Sequence, residues 1–90
     1  MLFPSRDRLL HVETVRLPAK WLQVRHQNVD YPAEGQAGGL VSCVQLVDLK
    51  GHNSGTAVIQ KGGPGQRQVT VRVKSVRGHS VAWNVLVYGR

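Results

Sequence analysis

Hydrophobic and polar positions alternate along most of this chain, most clearly from Lys61 to Arg90. Val69, Val71 and Val73 alternate with Thr70, Arg72 and Lys74. Val81, Trp83, Val85 and Val87 then alternate with Ala82, Asn84, Leu86 and Tyr88. Successive side chains of a strand point to opposite faces, so each run reads as a strand with one face against a core. Val76-Arg77-Gly78-His79 between them holds the glycine that a short connection favours. The two runs together predict a C-terminal hairpin whose core face is Val69, Val71, Val73, Val81, Trp83, Val85 and Val87. A lone hairpin is marginal in water, so the rest of the chain must cover that face.

The remaining segments supply the cover. Arg8 to Leu17 alternates in part and carries β-branched residues, which predicts a strand; Leu9, Val12 and Arg16 also fit helical spacing. After Pro18, the stretch Trp21 to Tyr31 alternates until about Asn28, where a slip suggests a bulge or a strand end before Val29-Asp30-Tyr31. Residues 32–39 are a loop by composition. Leu40 to Leu49 is apolar on both faces and predicts an interior strand. Residues 50–55 form a turn, Thr56 to Gln60 a short strand, and Gly62-Gly63-Pro64-Gly65 a second turn. About six strands, with turn signals every 8–12 residues or so, predict an all-β fold, a small antiparallel β-sandwich or barrel. We expect a single domain over residues 8–90, preceded by a flexible leader over residues 1–7.

Composition agrees. Hydrophobic residues are 41% and charged residues 19% of 90, which suits one small globular domain. Valine dominates the apolar set, and its branched Cβ favours strands. No run approaches the length of a membrane span, and Ser5-Arg6-Asp7-Arg8 cuts short any signal-peptide core after Met1-Leu2-Phe3-Pro4.

Side chains that could do chemistry are scattered. Cys43 is a lone cysteine in an apolar run, which predicts a buried small hydrophobe and excludes an internal disulfide. The four histidines, His11, His26, His52 and His79, contain no pair at zinc-arm spacing. His11 and Glu13 share a strand face, a pairing that could orient an imidazole and that an exposed β face also shows. No serine sits in a nucleophile elbow; His52-Asn53-Ser54-Gly55 lacks the first glycine. Asp48 is placed to close its strand by accepting a backbone N–H in the following turn. The Gly62–Gly65 turn opens a strand rather than a helix, and Pro64 lacks a donor, so turn formation accounts for it better than phosphate binding. We expect no catalytic residue, metal or cofactor.

Charge changes the picture more. Lys and Arg number 12 against 5 Asp and Glu, a formal net charge of +7, and no acid follows Asp48. Such an excess favours anionic partners. Arg72 and Lys74 alternate outward from the valines, Arg77 extends the row at the tip, and Arg67, with Lys61, lies toward the other end. Cations two residues apart on a strand stand about 7 Å apart, a spacing that suits a polyanion or an acidic protein surface. The same charges also suit a solvated face, or an edge strand guarded against aggregation. No recognition helix or stacking aromatic motif is present, so sequence-specific DNA binding is not expected. An open strand edge offers a route to pairing two copies.

Asp7-Arg8-Leu9-Leu10-His11, Val44 to Asp48, Gly62-Gly63-Pro64-Gly65, Val69-Thr70-Val71, Lys74-Ser75, Arg77-Gly78-His79 and Val85-Leu86-Val87-Tyr88-Gly89 stand in an order that resembles the insect family named after multiprotein bridging factor two. The resemblance is densest from Asp48 to Gly89. It departs at Ser54-Gly55-Thr56, where relatives carry a double glycine and an aromatic. It implies a non-catalytic protein-interaction module: a transcriptional co-activator in the nucleus bridging a DNA-bound factor to general transcription machinery, or a small secreted protein of saliva or haemolymph that binds polyanions or anionic lipid surfaces. Secretion is the commoner state that the resemblance implies. The family brings no catalytic residue with it.

Overall fold

The computed structural model describes residues 7–19, 24–33, 35–50 and 55–90. The leader before Asp7, the expected strand start at Trp21 to Gln23, and most of the turn after Lys50 lie outside these residues. Six strands follow in order: β1 (Arg8–Leu17), β2 (His26–Tyr31), β3 (Val41–Asp48), β4 (Thr56–Gly62), β5 (Val69–Lys74) and β6 (Val81–Gly89). They form two three-stranded sheets, β1-β6-β3 and β2-β5-β4, with every pairing antiparallel. The described residues contain no helix, and no helix is long and apolar enough to cross a membrane. The chain is an all-β sandwich.

The core explains the pairing. Val69, Val71 and Val73 of β5 and Val81, Val85 and Val87 of β6 are buried in one cluster with Val15, Leu17, Val29 and Val41. Trp83 is half-buried on the same face of β6, opposite Val15 and Asp48. β5 and β6 are each the central strand of a different sheet. They are therefore not the expected hairpin. A hairpin would put both valine sets on one face of one sheet and leave them to be covered from elsewhere. Crossing between sheets through residues 75–80 lets the two valine faces bury each other. The true hairpin is β4–β5, and its loop is the glycine-rich turn.

Two other expectations are corrected. β3 was expected in a sheet interior but is an edge strand. Its core face, Val44 and Leu46, packs on the cluster, and its outer face carries Val47 and the buried Cys43. Apolarity on both faces here reflects an apolar outer sheet surface, not burial between neighbours. The expected slip at Asn28 is absent, because β2 keeps regular register with β5 from His26 to Tyr31. Bulges fall instead near Leu10, Ser42 and Gln60, one in each of β1, β3 and β4.

Backbone contacts close the ends of the sandwich. The Gly65 amide donates to the Val41 carbonyl (2.8 Å) and the Val41 amide to the Gln66 carbonyl (2.7 Å), tying the β4–β5 loop to β3. Gly62, Gly63 and Gly65 in that loop all take positive φ, which glycine adopts without steric cost. Leu40 and Arg90 exchange backbone bonds of 3.1 and 3.0 Å. A Cβ on Gly89 would stand 1.9 Å from the Leu40 carbonyl oxygen, so glycine is required there. The buried Asp7 carboxylate accepts a hydrogen bond from Ser42 and lies 3.5 Å from the Arg90 Nε, which fastens the start of β1 to the end of β6.

Val71 is fully buried, and Val58 on the neighbouring strand is 53% exposed. Val71→Ala should cost about 2 kcal/mol, from two lost methyl groups and the space they leave. Val58→Ala should stay within about 0.5 kcal/mol of the parent. Urea unfolding of the two variants checks this, and equal losses would contradict the core assignment.

Candidate interaction surface

Register fixes what the outer face of the β2-β5-β4 sheet presents. Val29, Val71 and Ile59 lie in one cross-strand row, and the buried valines place that row on the core side. The alternate rows therefore face outward: His26, Lys74 and Thr56; Asn28, Arg72 and Val58; Asp30, Thr70 and Lys61. Arg72 and Lys74 stand about 7 Å apart along β5, with neighbouring strands about 4.8 Å to either side. The single acid of these rows, Asp30, accepts a hydrogen bond from Thr70 Oγ1 at 2.7 Å. Among the described residues, this face carries Lys61, Arg72 and Lys74 against one engaged carboxylate.

The four basic residues singled out in the sequence are not all together. Arg72 and Lys74 share the face. β5 is the central strand, so these two do not guard an edge. Arg77 lies beyond β5 in a turn closed by the His79 amide on the Val76 carbonyl (3.1 Å). There it lines a shallow cleft of about 450 Å³ with Ala19, Gly78 and His79. Arg67 is at the other end, in the β4–β5 loop, where its Nη1 points a long 3.4 Å bond at the Gly38 carbonyl. The whole of β5 stands between the two, about 20 Å of strand. Lys61 and His26 join the face through pairing with β5. Alternation within single strands cannot reveal this, because it depends on which strands become neighbours.

Arg72 is only partly exposed, and its Nε is buried with no hydrogen-bond partner among the described residues. Its stem lies between Asn28 and Val58, and a long basic side chain can cover apolar surface in this way while its head reaches solvent.

The other chemistry-bearing groups have local roles. Asp48 Oδ1 accepts the Lys50 amide at 2.9 Å, the turn bond expected of it. His11 Nε2 lies 3.2 Å from Glu13 Oε1, with the imidazole 5.9 Å from the Tyr31 ring. The Tyr31 hydroxyl in turn accepts the Gly39 amide at 2.8 Å. The glycine loop does not hold its amides out for an anion: Gly63 and Gly65 donate to Gln68 and Val41 carbonyls. Among the described residues no group of three or more His, Cys, Asp or Glu could hold a metal ion.

The pattern of the family described as Transcription activator MBF2 matches residues 4–89. The chain belongs to this family. A curated protein of Bombus ignitus, described as "Probable salivary secreted peptide", is 39% identical over 51 residues. The match covers 56% of this chain and 38% of that relative, so the chain spans well under half of the relative's length. No solved structure matches. The MBF2 family is described by transcription activation rather than by an enzymatic reaction.

Several motifs behind the MBF2 resemblance turn out to hold the sandwich together. The serine of Lys74-Ser75 is buried; its Oγ accepts the Arg25 amide (2.7 Å) and its own amide donates to the Arg25 carbonyl (2.7 Å). The chain is thereby pinned where it enters β2. Gly89 permits the close approach of Leu40, and the glycine loop clasps Val41.

Arg72→Met keeps most of the stem and removes a buried donor without a partner, a group whose burial costs about 1–3 kcal/mol. We expect its unfolding free energy to stay within about 0.5 kcal/mol of the parent or to rise. A loss above about 1 kcal/mol in urea titration would show that the guanidinium anchors the sheet rather than standing ready for a partner.

Proposed function

We propose that this chain is a non-catalytic interaction module of the MBF2 family that captures an acidic protein surface on the outer face of its β2-β5-β4 sheet. The observation that carries the reading is the clustering of Lys61, Arg72 and Lys74 on a sheet face centred on β5, whose one acid is already engaged by Thr70. Cations fixed by a sheet need little ordering when a partner arrives, and they steer an acidic surface toward the correct face. The family's description as transcription activators supports a bridging role, in which the partner belongs to transcription machinery. Arg67 and Arg77, one at each end of β5, extend the field beyond the face.

A second reading places the protein outside the cell, binding polyanions or anionic lipid through the same cations. The name of the Bombus ignitus relative, a probable salivary secreted peptide, supports that compartment, and the family description supports the nucleus. The two readings share the chemistry of the face and differ in what it meets.

Reversing Lys61, Arg72 and Lys74 to Glu should abolish capture of an acidic polypeptide, and the affinity of the parent should fall steeply with added salt. Binding to polyglutamate, measured by fluorescence anisotropy across a salt series, checks this. For heparin the logarithmic salt slope should be about −2 to −3 if the three cations supply the contacts. Retention on heparin no stronger than that of a control protein of equal charge would weigh against the extracellular reading. Capture of polyglutamate unaffected by the triple reversal would overturn the assignment of the face.

A further inference from the structure

The opposite face of the sandwich is chemically unlike the cationic one. Alternation on β6 turns Asn84, Leu86 and Tyr88 away from the core, and register sets them beside Thr14, Val12 and Leu9 of β1 and Val47, Gln45 and Cys43 of β3. These positions carry no formal charge; the next outward row, Ala82 beside the exposed Arg16, places one cation at the end of the face. Leu9 and Val12 are 47% and 51% exposed, while Leu86, Tyr88 and Val47 are half-buried. The polar pair in the middle is already satisfied, with Thr14 Oγ1 donating to Asn84 Oδ1 at 2.7 Å. Beyond the exposed Gln45, covering this surface would therefore strip little water from polar side chains of these rows.

We propose that this face is where a second copy of the chain docks, forming a two-fold dimer that leaves both cationic faces outward. Three observations select this occupant and this surface. First, the chain carries +7, so two copies repel each other over most approaches, and on the β1-β6-β3 outer face they meet with one cation each from the paired rows, Arg16, which stands at the end of the face beside Ala82. Second, pairing through strand edges is obstructed. β1, β3 and β4 each carry a bulge, and β2 has six residues with Asp30 among them. Third, the size fits. Three strands about 4.8 Å apart, rising about 3.3 Å per residue, make a platform of roughly 15 by 30 Å. Buried on two copies, it removes on the order of 1,000 Å² from water, near the lower bound for a specific interface. A concentration-dependent dimer follows, not an obligate one. Its valence would double the cationic surface offered to one extended acidic partner.

Sedimentation velocity on the whole chain over a wide concentration range tests this. The mass should rise from one chain to two, and moderate salt should leave the dimer intact or strengthen it by screening the charge. Val12→Lys should weaken dimerisation at least about tenfold, and Gln45→Lys, an exposed position on the same face, should act in the same direction. Val58→Lys adds the same charge to the other face and should leave dimerisation unchanged, and circular dichroism should confirm that all three variants fold. Val12→Lys should still bind polyglutamate as a monomer, which separates this proposal from that for the cationic face. A chain that stays monomeric at every concentration overturns the proposal. So does a dimer that Val58→Lys weakens as much as Val12→Lys does.

Discussion

The structure depends on one contact, the packing of the β5 valines against the β6 valines across the sandwich. Val69, Val71 and Val73 lie in one sheet and Val81, Val85 and Val87 in the other, and all six are buried. Valine is small and stiff, so two such rows can approach closely with little side-chain entropy to lose. Every other strand is placed by pairing with one of these two. β2 and β4 flank β5, and β1 and β3 flank β6. The chain crosses between sheets at each connection except the β4–β5 hairpin, where the glycine loop turns it back within one sheet.

This arrangement also decides what faces solvent. The residues that alternate with the β5 valines are Thr70, Arg72 and Lys74; those that alternate with the β6 valines are Ala82, Asn84, Leu86 and Tyr88. One period-2 rule therefore makes one outer face cationic and leaves the other uncharged except for Arg16, beside Ala82 at its end. Bulges in three of the four edge strands turn those edges away from simple pairing, which leaves the two broad faces as the surfaces able to do work. The MBF2 motifs divide accordingly. Ser75, Gly89 and the glycine loop hold the scaffold, while Lys74 and Arg77, which stand beside them in the sequence, point outward from its ends and face.

Much of this is legible in the residues before any coordinates. Alternation locates β1, β5 and β6 to within a residue, because a half-buried strand writes its period directly into the chain. Asp48 and the turn glycines are readable because their roles are local. Pairing is not local, and the errors follow from that. Val76-Arg77-Gly78-His79 has the chemistry of a hairpin turn and serves a crossing instead, since both valine faces must be buried and one sheet cannot do so alone. β3 reads as an interior strand because its outer residues are apolar, and only the sheet order shows that they face outward. The same limit applies to the cationic face. Arg72 and Lys74 are visible as a pair on one strand, but Lys61 and His26 join them through register alone.

Proton NMR of the folded chain tests the central contact most directly. Backbone cross-strand NOEs should connect β5 to β2 and β4, and β6 to β1 and β3, while methyl–methyl NOEs connect Val69, Val71 and Val73 to the valines of β6. Backbone NOEs pairing Val69–Lys74 with Val81–Tyr88 in hairpin register, without methyl contacts between facing sheets, would contradict the account.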